Sequence, residues 1–389
     1  MKGIFTAIEF GSSKIACLSG AKAMFGKYQL LAEAVCPYAG FRRKAWLQPD
    51  AVGCATSETI RKAESALGKN VSEVYIGVPG EFTKVVCQDS ELDWLGRARR
   101  VSAEHMAELI SKTEDYDKPE DYELLGTYPA YYLIDKQKRV LDPLGMSAEH
   151  ILCRASHVHA EKEFIRNIDE IFGSMNIAVS GLVCVPLAQT KMLIPPSKTG
   201  SICILVDVGY YITDVSVVLG EALLYHATLQ IGGYHLANDL SLCLDMPLEE
   251  AEQLKRSMTF GVHPGKISDG AHEDGENVSA SLEEGGSAQD IFYERMNEIC
   301  RLIGQAIERS GTKYGEDTPV YLTGGGVSMM NGVECYMRSA LKFDVEIAAY
   351  TGHRRDSACL SGAFGVLDFS FGLEESKKKR GSNIASFTF

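Results

Sequence analysis

The stretch ICILVDVGYYITDVSVVLG, residues 202–220, contains two short apolar runs joined by a turn just after Asp207. This pattern predicts a β-hairpin. A second copy stands near the start of the chain, where GIFTAIEFG at 3–11 is followed by KIACLSG at 14–20. Glu9 and Asp207 occupy the same place in the two copies, 198 residues apart (9 to 207). That separation is too long for a solenoid repeat and indicates a duplicated domain.

The composition sets the size and the class of the protein. The chain has 389 residues, 45% hydrophobic and 23% charged, enough for about two domains with a buried core. Lys and Arg number 39 against 52 Asp and Glu, and this net charge of -13 argues against a general attraction to nucleic acid or anionic lipid. The Cys residues are scattered without a C-x-x-C pair, which is typical of reduced, buried thiols in a cytosolic protein. No apolar run approaches the roughly 18 to 20 residues of a membrane span.

Hydrophobic periodicity predicts further helices and strands around the two hairpins. The predicted helices lie at 48–69, 102–114, 160–175, 247–258 and 290–311, and the predicted strands at 71–80 and 319–326. The segment from Glu81 to about His159 is rich in charge and tyrosine, and we interpret it as a small inserted domain. His157 and His159 alternate on a strand of this segment and are given no chemical role. Residues 261–289 are polar, Gly-rich and acidic, which predicts a loop.

Three glycine-containing turns each follow an apolar strand: EFGSSK at 9–14, DVGYYITD at 207–214 and TGGG at 323–326. Such turns expose backbone N–H groups and let a phosphate come close, because glycine has no Cβ and tolerates positive φ. An acidic residue at the strand end can hold Mg²⁺ through water molecules. Each glycine-rich stretch alone is typical of an ordinary turn, whereas three in this order predict a phosphate site.

With these turns the sequence resembles the actin-like ATPases, the superfamily of actin, the large heat-shock chaperones and the sugar kinases. In that superfamily the turns are the phosphate-1, phosphate-2 and adenosine motifs. A closer resemblance, over residues 3 to 370, is to the bacterial cell-division family FtsA. It rests on four stretches: DPLGMSAEHILCRASHVHA at 142–160, SGLVCVPLAQTKMLI at 180–194, LLYHATLQIGGYHLANDLSLCLDMPLEEAEQLK at 223–255 and VYLTGGGVSMMNGV at 320–333.

The resemblance implies an α/β protein with the duplicated actin-like, ribonuclease H-like fold. Its two lobes would carry an inserted small α+β domain in place of one actin subdomain. The implied division of the chain is a first lobe at 1–80 and 160–200, the inserted domain at 81–159, a second lobe at 201–350, a closing helix at 351–373 that returns to the first lobe and a flexible basic tail at 374–389.

The resemblance also implies a site for ATP and Mg²⁺ between the lobes. The matching nucleotide-binding positions are Gly11, Ser12, Ser13, Lys14, Asp207, Gly209, Thr213, Gly324, Gly325 and Gly326, and Glu9 and Asp207 would hold the metal through water. Glu252 and Lys255 match positions that contact ribose and base. Three residues apart on one helix, they can both face a single cleft, and the alternative is an exposed ion pair.

Partners follow from the same resemblance. FtsA docks the C-terminal peptide of the tubulin-like protein FtsZ on its second lobe, and Arg295 matches a basic position that helps to hold this acidic peptide. The alternative for Arg295 is a solvated arginine on a helix face. The inserted domain would make longitudinal contacts in self-associated filaments or dimers. No nucleic acid is expected as a partner.

The phosphate-2 turn departs from the pattern of the superfamily, DIGGGTTD. Tyr210 and Tyr211 stand in place of two glycines, and Ile212 in place of a threonine. Large side chains crowd the approach of a phosphate to the backbone, and positive φ is costly for tyrosine. Glu9 replaces the usual Asp of the first motif. Because phosphoryl transfer depends on positioning, we expect weakened ATP binding and negligible hydrolysis.

The C-terminus departs as well. Family members end in an amphipathic helix that lies in the membrane surface. Here a basic cluster at 377–380 is followed by Ile384, Phe387 and Phe389, an apolar part that is short and rich in serine. Two interpretations remain open: contact of the 377–389 tail with anionic lipid, or a disordered C-terminus. The expected location is the cytoplasm, at the inner face of the membrane at the division site.

Three functions compete at this point. The first is an actin-like adaptor that resembles FtsA and links FtsZ filaments to the membrane or to other division proteins. The second is a pilus-assembly scaffold related to FtsA, against which the DPLGM stretch at 142–146 argues. The third is a kinase of the same fold, which would need the intact phosphate clamp that this chain lacks.

Overall fold

The computed structural model describes residues 3–22, 28–261, 287–315, 317–348 and 355–382. The first lobe begins with the elements β1 (Ile4–Phe10), β2 (Lys14–Lys22), β3 (Tyr28–Pro37), β4 (Phe41–Arg42), β5 (Ala45–Trp46), α1 (Pro49–Leu67) and β6 (Glu73–Val78). The insertion then contributes β7 (Thr83–Asp93), β8 (Arg99–Arg100), α2 (Ala103–Lys112), β9 (Tyr122–Ile134), β10 (Lys138–Val140), β11 (Ser147–Ala148) and β12 (His150–Glu161). The chain returns to the first lobe with α3 (Lys162–Ser174), β13 (Ala178–Cys184) and α4 (Val185–Leu193).

The second lobe follows without a break in the described chain. Its elements are β14 (Cys203–Val208), β15 (Thr213–Leu219), β16 (Ala222–Leu229), α5 (Gly233–Cys243), α6 (Leu248–Ser257), α7 (Ala288–Arg309), β17 (Pro319–Thr323), α8 (Val333–Leu341) and β18 (Asp344–Ile347). The last described element is α9 (Ser361–Ser382), which packs on α4 and β1 of the first lobe. The predicted loop at 261–289 lies almost entirely outside the described residues.

The two lobes contain sheets of the same topology. The strand order is β3-β2-β1-β6-β13 in the first lobe and β16-β15-β14-β17-β18 in the second. In both, three antiparallel strands are extended by two parallel ones. The register is matched too, since Glu9 pairs with Ala16 in one hairpin and Asp207 with Asp214 in the other. Both predicted hairpins and the duplication are confirmed.

The insertion forms its own four-stranded sheet in the order β10-β9-β12-β7, with α2 packed on it. A separate small cluster of buried residues, among them Leu109, Tyr132 and Ile151, lies between α2 and this sheet. Cys87 on β7 points its thiol at the carbonyl of Leu224 on β16, at 3.3 Å, so the inserted sheet also touches the second lobe.

Aromatic packing holds the first lobe together beside its cleft. Helix α3 buries Phe164, Ile168 and Phe172, spaced by four residues along one face. The ring of Phe164 lies 4.8 Å from that of Phe82 and 6.0 Å from that of Trp46. These contacts join α3 to the turn at 80–82, which follows β6, and to the short hairpin β4–β5. Both of these segments contribute to the wall of the cleft.

Helix α9 differs from the prediction at its end. A flexible tail was expected from residue 374, but the helix continues to Ser382. The cause is local, because residues 373–380 contain no Gly or Pro and several good helix formers. The basic cluster at 377–380 is therefore helical, whereas Ile384, Phe387 and Phe389 lie outside the described residues. None of the helices in the described part of the chain combines the length and the apolar character needed to cross a bilayer.

Replacing Phe164 by alanine tests the packing of the first lobe. The side chain is fully buried, so we expect Phe164→Ala to lower the free energy of unfolding by about 3–5 kcal/mol. Leu242→Ala, at a leucine that is 73% exposed, serves as control and should cost less than about 0.5 kcal/mol. Urea denaturation followed by tryptophan fluorescence measures both. Similar losses in the two variants would contradict the assignment of Phe164 to the core.

Candidate functional site

A cavity of about 720 Å³ lies between the lobes, where β1, β14 and β17 end. All three predicted turns line it, with Ser12, Gly209 and Gly325 among the residues in its wall. Its volume falls in the range of small-molecule and cofactor sites. The topology explains the convergence, because β14 pairs with β17 in parallel and the duplicated hairpins bring β1 and β14 to opposite sides of the same space.

The first turn, at 11–13, is held tightly to its own hairpin. The Gly11 N–H donates to the carbonyl of Lys14 at 2.9 Å, and the Tyr38 hydroxyl donates to the carbonyl of Gly11 at 2.7 Å. The chain passes Ser12 so closely at Gly40 that a Cβ there would lie 1.9 Å from the Ser12 carbonyl oxygen. Ser12, Ser13 and Lys14 therefore reach the cavity on a fixed backbone.

The second turn, at 209–212, begins in the same way, since the Gly209 N–H donates to the carbonyl of Ile212 at 2.9 Å. Its two tyrosines form an aromatic cluster with Tyr234 of α5, in which the rings of Tyr210 and Tyr211 lie 4.8 Å apart. Both line the cavity. Thr213, predicted to bind nucleotide, is fully buried and its hydroxyl donates to the carbonyl of Ile231, so it lies beneath the turn and not in the cavity wall.

The third turn, at 324–326, approaches the second one without room for side chains. Gly324 has φ +92°, and a Cβ on it would lie 2.1 Å from a carboxylate oxygen of Asp207. The Gly326 N–H donates to the carbonyl of Val208 at 2.7 Å, and a Cβ on Gly326 would lie 2.4 Å from the carbonyl oxygen of Gly209. Glycine is required at both positions for the turns to meet.

Three carboxylates lie deep in the cleft. Burial raises the pKa of Glu9 to about 7, that of Asp207 to about 6 and that of Asp214 to about 7. Lys14 opposes the shift of the Glu9 pKa, and hydrogen bonds from Gln189 and Thr228 oppose those of Asp207 and Asp214. Carboxylates with raised pKa values hold protons that a cation can replace, so this oxygen-rich set fits a hydrated Mg²⁺. Among the described residues, no group of three or more His, Cys, Asp or Glu is placed to hold a metal ion directly.

Glu252 and Lys255 meet at the far end of the cavity. Their ion pair measures 2.8 Å, and Lys255 also donates to the carbonyl of Gly233 at 3.2 Å. Lys255 is only 3% exposed, and burial lowers its pKa. Glu252 makes a second ion pair with Arg256 at 3.0 Å. The pair is thus not an exposed one, and both residues line the cavity as predicted.

Arg295 lies on α7, away from the residues that line the cavity. Its guanidinium binds the carboxylate of Asp239 on α5 through two nitrogens, one of them at 3.0 Å, and it also pairs with Glu298. The side chain is 26% exposed. It is therefore neither free nor fully solvated, and any acidic partner has to compete with two carboxylates of the same chain.

Sequence reasoning missed several residues of the cleft. Gln189 on α4 donates to Asp207 and, at 2.9 Å, to the hydroxyl of Ser361. Gly80 comes so close to Asp214 that a Cβ there would lie 2.4 Å from the carboxylate. His226 donates to the carbonyl of Gly80 at 3.1 Å. Gln189 and His226 do fall within the stretches that carried the resemblance, which was the one signal that could have indicated them.

Comparison with known families gives two matches. Residues 204–363 match the family described as cell division protein FtsA, and residues 83–159 match the SHS2 domain inserted in FtsA. The chain is 23% identical over 338 residues to a cell division protein FtsA of Pseudomonas aeruginosa, covering 85% of this chain and 79% of the relative. It is 22% identical over 349 residues to that of Escherichia coli K12, covering 86% and 81%.

Solved structures are similar in fold. The structure of a PilM–PilN type IV pilus biogenesis complex matches with a TM-score of 0.62 at 14% identity, covering 94% of this chain and 98% of the other. MreB5 of Spiroplasma citri bound to ADP matches with a TM-score of 0.52 at 11% identity, covering 98% and 99%. The predicted actin-like fold of two lobes with an inserted small domain is confirmed.

Replacing Glu9 by glutamine tests the charge balance of the cleft. The folded chain holds a proton on Glu9 up to a pKa of about 7, whereas the ordinary value is 4.5. The stability that protonated Glu9 contributes is therefore fully present below pH 4.5 and is lost as the pH rises through 7. Glutamine does not titrate, so Glu9→Gln does not lose this stabilisation. The difference in thermal unfolding midpoint, Glu9→Gln minus the unmodified chain, should therefore be larger at pH 8 than at pH 5 by at least about 2 °C.

Thermal melts of both proteins at the two pH values measure this difference. The buried histidines shift the stability of both proteins alike, so they cancel in the comparison. Glu170→Gln, at an exposed glutamate of α3, is the matched control and should show no pH-dependent difference. A constant offset between Glu9→Gln and the unmodified chain would contradict the raised pKa.

Proposed function

The chain belongs to the FtsA family of cell-division proteins, and on that premise we propose that it is an actin-like adaptor of cell division. In this role it docks the C-terminal peptide of FtsZ, links FtsZ filaments to the membrane or to other division proteins, and self-associates into filaments or dimers. The observation that carries the proposal is the inserted four-stranded sheet between β6 and α3, in a chain whose two lobes are otherwise duplicated. Such an insertion offers a second contact surface beside the cleft.

We further propose that the cleft takes an adenine nucleotide with Mg²⁺, bound weakly. Ser12, Ser13 and Lys14 would contact phosphate, the turn at 324–326 would face the nucleoside, and Glu9 and Asp207 would hold the metal through water. The bound Mg²⁺ would supply positive charge beside the buried carboxylates. Tyr210 and Tyr211 crowd the second turn, so the residues support binding without efficient hydrolysis.

The proposed location is the cytoplasm, at the inner face of the membrane at the division site. The basic cluster at 377–380 lies at the end of α9, where four consecutive positive charges would be attracted to anionic lipid. Because the rest of the chain is acidic, this cluster is the part best suited to such contact.

A pilus-assembly scaffold is the second candidate. The likeness in fold to the PilM–PilN complex favours it, with a TM-score of 0.62. The sequence relatives and the two family matches favour cell division instead. Binding of an FtsZ C-terminal peptide separates the two candidates, because only the adaptor of cell division is expected to bind it.

Peptide binding also tests the role of Arg295. If Arg295 anchors the acidic peptide, Arg295→Gln should weaken binding about tenfold. Asp239→Asn removes the carboxylate that now competes for the guanidinium, so it should strengthen binding about threefold or more. Fluorescence anisotropy of a labelled FtsZ C-terminal peptide measures both variants.

Arg301→Gln is the matched control, since Arg301 is exposed on the same helix. Its affinity for the peptide should remain within about twofold of that of the unmodified chain. Equal losses from Arg295→Gln and Arg301→Gln would indicate only a general attraction of charges. If Asp239→Asn lowers stability and leaves affinity unchanged, Arg295 has a structural role alone.

Flotation with vesicles tests the membrane contact. The full chain should float with vesicles containing anionic phosphatidylglycerol, whereas a chain ending at Glu374 should not. A full-length variant with glutamine at all four positions 377–380 separates charge from length, and it should also fail to float. Equal flotation of the three proteins would remove the tail from the proposal.

A further inference from the structure

The turn of the second lobe at 209–212, called here the tyrosine turn, is built into the first lobe. Ile212 is 6% exposed and belongs to the apolar core of the first lobe, together with Phe10, Phe41 and Phe82. Tyr211 packs against the same core. A residue of the second lobe thus contributes to the core of the first, and separating the lobes would expose it to water.

A polar contact joins the same two parts. The Tyr211 N–H donates to the hydroxyl oxygen of Ser12 at 3.1 Å, so the second turn binds the first one directly. The guanidinium of Arg42, from the first lobe, lies 5.6 Å from the centre of the Tyr211 ring, within the range of a cation–π contact. Tyr234 also packs on Tyr211, with its ring 4.9 Å from that of Tyr211.

The lobes are bridged again below the cavity. His226 of β16, 2% exposed, donates from Nε2 to the carbonyl of Gly80 in the first lobe, and its Nδ1 accepts from Ser216. Burial lowers the pKa of His226 to about 4, so the ring is neutral at pH 7. Gln230 donates to the carboxylate of Glu81 at 2.8 Å. These contacts join the two sides of the cleft without a ligand between them.

Two backbone N–H groups of the tyrosine turn that a terminal phosphate would need are already bonded. In a cleft between two turns, a phosphate is held by their free backbone N–H groups. Here the N–H of Tyr211 is committed to Ser12 and that of Gly209 to Ile212. The charges of the cavity wall are also unfavourable for a terminal phosphate. Four acidic side chains line the cavity, against the three basic side chains of Lys14, Lys255 and Arg256. Lys255 and Arg256 already pair with Glu252.

We propose that the tyrosine turn takes the place of a terminal phosphate as the bridge between the lobes. The cleft therefore accepts a nucleoside diphosphate in preference to a triphosphate, and the lobes stay together whether or not a nucleotide is bound. This inference rests on the proposed nucleotide site. It specifies a nucleoside diphosphate as the ligand, and it attributes closure of the cleft to contacts within the chain and not to a bound nucleotide.

Calorimetric titration of the full chain with Mg-ADP and with Mg-ATP tests the ligand class. We expect ADP to bind about tenfold more tightly than ATP. Tyr211→Gly removes the ring that crowds the tyrosine turn, so it should bring the two affinities to within about threefold of each other, mainly by strengthening ATP binding. Tyr314→Gly, at a tyrosine that is 39% exposed and outside the cavity, is the control and should retain the preference for ADP.

Small-angle scattering supplies a readout that does not depend on binding. The radius of gyration of the unmodified chain should be the same with and without Mg-ADP, and that of nucleotide-free Ile212→Asn should be larger, with its far-UV circular dichroism unchanged. Tighter binding of ATP than of ADP would overturn the inference and leave the proposed nucleotide site standing. Binding of neither nucleotide would overturn both. A decrease in the radius of gyration of the unmodified chain on adding Mg-ADP would contradict the inference that the cleft is closed without a nucleotide.

Discussion

The close approach of the backbone at the ends of β14 and β17 is the constraint on which the cleft depends. The Gly326 N–H reaches the carbonyl of Val208, and Gly324 lies against the carboxylate of Asp207 at a distance that admits no Cβ. The Gly233 N–H in turn donates to the carbonyl of Gly209 at 2.9 Å, which ties helix α5 to the same point. One small region of glycine backbone therefore orients the second turn, the third turn and the helix that carries Tyr234.

The buried carboxylates follow from this arrangement. Parallel pairing of β14 with β17 and the matched hairpins bring Glu9, Asp207 and Asp214 into one cleft, where loss of solvation raises the pKa of each. The chain limits the cost with neutral donors, since Gln189 binds Asp207 and Thr228 binds Asp214. Neutral donors stabilise a carboxylate without fixing its charge, which is compatible with exchange of its proton for the proposed Mg²⁺.

Much of this fold could be predicted because its signals are local. Alternating apolar runs specified the two hairpins, and helical spacing specified α3, whose buried residues repeat every four positions. Contacts between distant parts of the chain gave no such signal. The placement of Ile212 in the core of the first lobe depends on how the lobes meet. The burial of Thr213 and the pairing of Arg295 with Asp239 depend on how distant elements pack within the second lobe, and local patterns contain neither kind of information.

The substitutions in the second turn have two physical effects of opposite kind. As parts of a phosphate clamp, Tyr210 and Tyr211 are unfavourable, because side chains occupy the space that glycine leaves open. As parts of an interface between lobes they are favourable, and burying Ile212 where a threonine is usual contributes roughly 1.5–3 kcal/mol. We expect a chain that loses the clamp and gains this packing to keep its lobes in a fixed relative orientation and to hydrolyse ATP negligibly. A fixed orientation of the lobes would suit the proposed adaptor, whose surfaces must match those of a neighbour, so the residues that fit a phosphate clamp poorly are compatible with that role.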